Sequence, residues 1–145
     1  MSHHRGFTVI ELLVVIAIIG LLLMAFPVAI TSFQESRQIG TAIQATVQSA
    51  RRAQALSRAT ASDASWGVSV QTGSVILFQG ASYATRDAAF DEVLEFSDAV
   101  QVTGITEIVF DKLTGEPDVT GTIDFETDVS IRTLIMYETG ALQYE

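Results

Sequence analysis

Apolar residues run almost without a break from Phe7 to Ile30, and Glu11 carries the only charge within that stretch. A helix crosses a bilayer with about 20 consecutive, mostly apolar residues, so the pattern predicts a transmembrane helix. A secretory signal would have a shorter apolar core, followed by small residues at its cleavage site. Here the only junction of small residues precedes the run. We therefore expect the segment to remain in the mature protein.

The helical periodicity continues beyond this apolar run. Apolar residues recur at spacings of three and four, as on one face of a helix, at Ile39, Ile43, Val47, Ala50, Ala53 and Leu56. The stretch SRATASDAS, residues 57–65, dilutes the pattern and predicts that the helix ends near Arg58. Pro27 removes a hydrogen bond and crowds the preceding turn, so it predicts a kink in the helix.

From Trp66 onward, apolar and polar residues alternate with a period of two, which is typical of strands. The segments WGVSVQT and GSVILFQG predict a hairpin that turns near Thr72–Gly73. Further short strands are predicted in EVLEF, AVQVT, TEIVF, TGTIDFE, VSIRTLIMY and GALQY, with a second tight turn at Thr139–Gly140. The segment YATRDAAFDE is compatible with a loop or a short helix. One long helix followed by short strands predicts an α+β fold, in which the helix packs on a small antiparallel sheet.

The charges are unevenly distributed along the chain. Residues 59–145 contain fifteen acidic and three basic residues, whereas residues 31–58 contain one acidic residue and four arginines. A strongly acidic head favours solubility and repels nucleic acid, so no nucleic-acid partner is expected. Arg5 precedes the apolar run, and the bias of basic residues toward the cytoplasm places the N-terminus inside and the head outside. The chain has no cysteine, so disulfides cannot stabilise an exported head.

Candidate catalytic groups are few. His3 and His4 are the only histidines and lie at the extreme N-terminus, which leaves the rest of the chain without a base for a nucleophilic triad. Four carboxylates lie close together in sequence, at Asp91, Glu92, Glu95 and Asp98. We interpret them as a solvated acidic face and not as an acid–base pair. We therefore expect a protein that is not an enzyme, with no catalytic residue, no metal and no cofactor.

The segment RGFTVIELL, residues 5–13, resembles the class III signal sequence of type IV pilins and type II secretion pseudopilins. In that family a short basic leader ends in glycine, phenylalanine or methionine follows, and a glutamate lies four residues further on inside an apolar helix. Gly6, Phe7 and Glu11 match these positions. The resemblance implies that a prepilin peptidase cleaves between Gly6 and Phe7 and N-methylates Phe7. In many family members the helix proline lies one position further along than Pro27.

The resemblance also implies a role for Glu11 in assembly, in which its carboxylate attracts the free N-terminal amine of a neighbouring subunit. Electrostatics agrees, because a lone carboxylate in lipid is costly and one that faces an ammonium is partly compensated. Cleavage creates that ammonium on Phe7. A role in a proton or ion pathway is the alternative, but a single acid in a single span makes a poor pathway.

Two clusters in the head and stem leave alternatives open. The turn segment DKLTGEPD contains three carboxylates, Asp111, Glu116 and Asp118. Two hypotheses remain for it: the carboxylates bind calcium, or the segment is only a turn. It lacks the spacing and central glycine of an EF-hand. One hypothesis for the basic residues of the stem is that they contact DNA; these residues are Arg51, Arg52 and Arg58. Because no aromatic residues are interleaved with these arginines, pairing with the acidic heads of adjacent subunits is the preferred prediction.

A further resemblance covers the head. The basic, alanine-rich stretch ARRAQALSRA, the hairpin that follows it and the terminal TGALQYE are similar to the GspH/FimT-type minor pilins. The predicted organisation is a leader at residues 1–6, a transmembrane and assembly helix at 7–30, an amphipathic stem helix at 31–60 and a β-rich pilin head at 61–145.

The predicted function is that of a structural subunit, of the minor or tip class, in a type IV pilus or pseudopilus-like filament. It would be a single-pass protein of the inner, cytoplasmic membrane with an extracytoplasmic head, which then enters a filament. The expected partners are the prepilin peptidase, other pilin or pseudopilin subunits, the inner-membrane assembly platform and membrane lipid. The alternative is a monomeric, membrane-anchored binding module whose apolar helix is only a tether.

Overall fold

The computed structural model describes residues 7–145, with the side chains of residues 24–35 excepted. His3, His4 and Gly6 therefore lie outside the described residues, as does the side chain of Pro27. Contacts within the chain divide it into two units, with the boundary between residues 34 and 35. Residues 35–145 form the larger unit, which we call the head unit.

A single long helix, α1, spans Val9–Arg58. Its end at Arg58 confirms the boundary predicted from the sequence, and its start lies two residues after the predicted one. The helix is continuous through Pro27, and the kink expected there stays a prediction. Among the residues that the structure describes, no helix has the length and apolar character needed to cross a membrane. The transmembrane assignment of residues 7–30 is therefore still a prediction.

Two loops hold the C-terminal end of α1. The Ser57 carbonyl oxygen accepts a hydrogen bond from the Thr60 N–H at 3.0 Å within the last turn and a second one from the Leu113 N–H at 3.1 Å. Arg58 Nε donates to the Thr114 carbonyl oxygen at 3.0 Å. Gln54 Nε2 donates to the carbonyl oxygens of Gly115 and Thr139, at 2.8 and 3.2 Å. Segments far apart in sequence thus meet at the last two turns of the helix.

Eight strands follow α1 and form two antiparallel sheets. They are β1 Trp66–Gln71, β2 Ser74–Gln79, β3 Asp87–Glu95, β4 Gln101–Gly104, β5 Glu107–Phe110, β6 Gly121–Thr127, β7 Ser130–Met136 and β8 Leu142–Tyr144. The first sheet has the order β3-β2-β1-β5 and the second has the order β4-β6-β7-β8. The α+β architecture is confirmed, with the stem part of the helix packed on antiparallel sheets. The prediction of one small sheet is wrong, because the chain leaves the first sheet after β3 to start the second with β4.

Both predicted tight turns are present. In the β1–β2 hairpin, Gln71 is paired with Ser74, so Thr72 and Gly73 form a two-residue connection, and Gly73 has φ +86°. Between β7 and β8, the Gly140 N–H donates to the Tyr137 carbonyl oxygen at 2.8 Å, and Gly140 has φ +77°. Glycine adopts such positive φ values without the steric cost of a Cβ atom. Residues 83–92, the segment YATRDAAFDE, were predicted to be a loop or a short helix. They form a short 3₁₀ helix at Tyr83–Thr85 followed by the start of β3, so neither prediction describes the segment fully.

The core of the head unit lies between the stem part of α1 and the two sheets. Ile39, Ile43, Ala50 and Ala53 are buried, and Val47 and Leu56 pack against the core while partly exposed, so the predicted apolar face of the helix is confirmed. The sheets contribute fully buried side chains, including Val68, Val70, Leu77, Ile108, Phe110, Ile123, Phe125 and Leu134. Two edge strands flank the helix: β3 of the first sheet contacts it near Arg52, and β8 of the second lies near Arg51.

Candidate functional site

The start of α1 brings Phe7, Thr8 and Glu11 together. Thr8 Oγ1 accepts a hydrogen bond from the Glu11 N–H at 3.3 Å, and the Thr8 carbonyl oxygen accepts one from the Leu12 N–H at 3.2 Å. Thr8 is therefore the N-cap of the helix, and it satisfies one of the N–H groups that a helix start leaves unpaired. Glu11 occupies the third helical position, where a negative charge interacts favourably with the positive end of the helix dipole.

The carboxylate of Glu11 is free to take a partner. Glu11 is exposed, and within the described residues its carboxylate has neither a hydrogen bond nor an ion pair. Phe7, one turn earlier, is 81% exposed. The arrangement therefore presents an acid and the residue that would carry a new N-terminus at the same end of α1.

The first turns of α1 are apolar on every side. All described side chains from Val9 to Leu23 are exposed, with large hydrophobic residues at Val9, Ile10, Leu12, Leu13, Val14, Val15, Ile16, Ile18, Ile19, Leu21, Leu22 and Leu23. Soluble monomers rarely leave so large a contiguous apolar surface open to water. A helix that is apolar all round is normally surrounded by lipid or by other helices. This segment therefore requires cover that the single chain does not provide within its described residues.

Thr8 is a structural residue of this site, the N-cap of α1, that the sequence interpretation missed. The signal was available, because Thr8 and Glu11 have the T-x-x-E spacing of a capping box immediately before an apolar helix. The family pattern drew attention to the charge of Glu11 and not to the cap. Of the other predicted site residues, Gly6 lies outside the described residues, and Pro27 lies inside α1 with its side chain outside them.

The acidic residues of β3 are partly neutralised inside the head unit. Arg86 Nε donates to Asp91 Oδ2 at 2.8 Å, and its guanidinium carbon lies 3.8 Å from the centre of the Tyr83 ring. The hydrogen bond to Asp91 raises the pKa of Arg86 above its ordinary value. Arg52 Nη2 lies 2.6 Å from Glu92 Oε1. These contacts are structural ion pairs, and they do not converge on a shared pocket as acid–base catalysis would need.

The three stem arginines have three different environments. Arg52 pairs with Glu92 of its own chain, and Arg58 donates to the Thr114 carbonyl oxygen. For these two residues, a strand (β3) and a loop (after β5) distant in sequence supply partners within the chain, and their pairing with the heads of adjacent subunits stays a prediction. Arg51 is exposed and has no ion pair with any described residue.

The segment from Asp111 to Asp118 is organised as a turn. Asp118 Oδ1 accepts from the Val109 N–H at 2.8 Å, and the Asp111 N–H donates to the Glu116 carbonyl oxygen at 2.8 Å. Lys112 forms an ion pair with Asp63. Within residues 7–145, no group of three or more histidine, cysteine, aspartate or glutamate side chains is arranged to hold a metal ion. The described contacts of Asp111 and Asp118 are those of a turn.

Comparison with known proteins agrees with the geometry at the start of α1. Residues 1–26 match the family model described as the prokaryotic N-terminal methylation motif. The comparisons with curated proteins and with solved structures give no match. The matched segment contains Gly6, Phe7 and Glu11 and ends within the apolar part of α1. This motif supports a type IV pilin-like identity for the chain, in the pilin and pseudopilin family.

Proposed function

We propose that the chain is a structural subunit of a type IV pilus or pseudopilus-like filament. A prepilin peptidase cleaves it between Gly6 and Phe7 and methylates the new N-terminus, and the subunit then polymerises through the first half of α1. The observation that carries the proposal is the N-terminal methylation motif at residues 1–26 together with the Glu11 carboxylate, which has no partner among the described residues and lies at the exposed start of α1. No described constellation of side chains favours an enzyme.

Cleavage supplies a partner for the Glu11 carboxylate. In the uncleaved chain, the Phe7 nitrogen is part of a peptide bond and carries no charge. Hydrolysis after Gly6 turns it into an ammonium, and methylation preserves the positive charge. The ammonium of one subunit then pairs with the Glu11 carboxylate of its neighbour, which compensates both charges where water is scarce. The acid is thus costly in a free membrane subunit and less costly in a filament.

The apolar surface of α1 supports the same mechanism. Before assembly, lipid covers residues 7–30 as a single-pass helix in the inner membrane, with the acidic head outside the cytoplasm. During assembly, the platform transfers this surface from lipid to the helices of other subunits. Pro27 lies near the end of this segment, where a helix break would let the helix adapt to its neighbours.

Within this class we favour a minor or tip subunit of the GspH/FimT type. The support is the order of the elements: a stem with a basic, alanine-rich last part, a two-sheet head that begins with the β1–β2 hairpin, and a C-terminal hairpin ending in β8. A head fixed to the stem by Gln54 and Arg58 suits a subunit that carries a rigid domain on a polymerising helix.

Processing provides the direct test of the proposal. The chain is expressed in a host with its prepilin peptidase, and the intact mass of the membrane-extracted protein is measured. We expect a chain that begins at Phe7 and carries one additional methyl group. A mature N-terminus at Met1, or one beyond Ile30, would contradict the pilin mechanism. A processed chain that never enters the sheared filament fraction would favour a monomeric membrane-anchored binding module instead.

A further inference from the structure

A groove runs along the head unit between α1 and the edge strand β8. Its volume is about 370 Å³, and it is lined by Ile43, Gln44, Val47, Gln48, Arg51, Leu142 and Tyr144. Ile43 is 4% exposed, and Val47 and Leu142 are half-buried, so the floor is apolar. The amides of Gln44 and Gln48 and the guanidinium of Arg51 form a polar rim. A mostly apolar floor with few polar groups around it is typical of binding sites.

The strand that forms one wall of the groove has an unpaired edge. β8 is the last strand of its sheet, and it pairs on one side only, with β7. Thr133 and Glu145 exchange both backbone hydrogen bonds, and the Tyr137 N–H donates to the Ala141 carbonyl oxygen. Because such pairs alternate along an antiparallel ladder, the N–H and C=O groups of Leu142 and Tyr144 point away from β7. Within the described residues, no backbone group pairs with them.

The opposite flank of the same helix shows what fits beside it. There Arg52 is paired with Glu92 of β3, and the apolar Val93 and Leu94 lie next to that acid in a second groove with Gln48 and Ser49. The β8 flank offers the equivalent cation, Arg51, but β8 itself is LQY and supplies no acid to it. An arginine, an apolar floor and an open strand edge are present on this side, and the acidic strand is missing.

We propose that this groove binds an extended segment of an adjacent filament subunit, with one carboxylate flanked by apolar residues. The segment adds a strand to the free edge of β8, its carboxylate pairs with Arg51, and its apolar residues cover Ile43 and Val47. Main-chain hydrogen bonds supply affinity and side-chain pockets supply specificity in this mode of recognition. The contact is head-to-tail, and such a contact generates an open helical assembly where its rotation does not close into a ring. This inference rests on the proposed function as a filament subunit.

The test uses the full chain, assembled by its own machinery in cells. A photo-crosslinking amino acid, p-benzoylphenylalanine, replaces Tyr144, which is 63% exposed at the groove. The matched control places it at Ile131, which is 60% exposed on β7 away from the groove. Sheared filaments are irradiated, and the crosslinked peptide is identified by mass spectrometry. We expect a crosslink from position 144, and not from position 131, to an acidic and apolar extended segment of another subunit.

Charge reversal at Arg51 tests whether the crosslink at position 144 depends on pairing with the arginine or only on proximity to the groove. Arg51→Glu should lower the crosslink yield at position 144 about tenfold, which corresponds to about 1.4 kcal/mol. Arg132→Glu makes the same change of charge at an exposed arginine of β7 outside the groove, and it should leave the yield unchanged. Arg51→Lys should retain most of the yield. These substitutions are on the surface, so filament incorporation itself serves as the control for folding.

The outcomes distinguish this inference from the proposed function. Normal incorporation without a crosslink above the Ile131 control overturns the groove proposal and leaves the filament proposal intact. A crosslink to lipid, to a helical segment or to a segment without a carboxylate overturns it as well, as does a yield that is insensitive to Arg51→Glu. A chain that is neither processed nor incorporated into filaments overturns both proposals.

Discussion

Replacing Glu11 by glutamine isolates the charge on which the proposed assembly mechanism depends. The substitution keeps the size of the side chain and leaves the Glu11 N–H free to donate to Thr8 Oγ1, so the helix start is preserved. A carboxylate and an ammonium about 4 Å apart, at an effective dielectric constant near 20, attract each other by about 4 kcal/mol before desolvation is subtracted. Loss of the interaction between the Glu11 charge and the positive end of the helix dipole costs only about 0.3–1 kcal/mol. A net assembly term of about 1.4 kcal/mol already changes an equilibrium constant tenfold.

The assay for Glu11→Gln is co-expression with the assembly machinery, followed by shearing and quantification of the filament and membrane fractions. Cleavage and membrane insertion should persist, because a neutral amide is cheaper to place in lipid than a carboxylate. Incorporation should fall about tenfold or more. Thr8→Val serves as the control, since it removes the capping hydrogen bond without changing charge and should have a much smaller effect on incorporation. Equal recovery of wild-type and Glu11→Gln protein in filaments would refute the charge mechanism and leave apolar packing as the driving force.

Two further predictions concern the stability of the head unit, measured by thermal unfolding of the detergent-solubilised full chain. Gly67→Ala should destabilise it by about 1–3 kcal/mol, because the new Cβ would lie 2.6 Å from Phe78 Cζ and 2.7 Å from the Ile108 carbonyl oxygen. Gly40→Ala is the matched control, with no atom within 4 Å of the new Cβ, and it should stabilise the helix by up to about 1 kcal/mol. A neutral Gly67→Ala would show that the β1–β5 pairing is looser than described. Leu113→Gly should raise the melting temperature. Leu113 has φ +79° and its side chain is 70% exposed, and a left-handed conformation costs an L-residue about 1–2 kcal/mol. A lower melting temperature would contradict this reasoning.

Local patterns were sufficient to predict the helix and the turns. The spacing of Ile39, Ile43, Ala50 and Ala53 identified the buried face, because a helix repeats every 3.6 residues whatever it packs on. Gly73 and Gly140 marked turns because tight turns need positive φ values, which glycine adopts freely. The N-terminal methylation motif was recognisable for a different reason: an acid near the start of a long apolar helix is costly and therefore rare, and residues 1–26 match the corresponding family model.

Long-range pairing could not be predicted from the same patterns. A period of two marks a strand but does not name its partner, so nothing in the sequence indicated that β1 pairs with β5 while β4 pairs with β6. For the same reason the sequence could not show that Glu92, forty positions away, would neutralise Arg52. Arg51 and Arg52 are adjacent in the chain but lie beside different sheet edges, β8 and β3. This is why only Arg52 has an ion pair among the described residues.

The attachment of two loops to the end of α1 has a mechanical consequence. In the proposed filament, tension would act between the stem, held by the helices of other subunits, and the head, which meets the surroundings. Hydrogen bonds join the last turns of the stem to the loops after β5 and β7. The donors are the Leu113 N–H, Arg58 Nε and the Gln54 side-chain amide, which donates to two carbonyl oxygens. Because these bonds lie side by side at one place, a pull on the stem loads them together and not in succession. The force then passes into both sheets at once, so the subunit should yield as one unit at a high load and should not peel open from its helix.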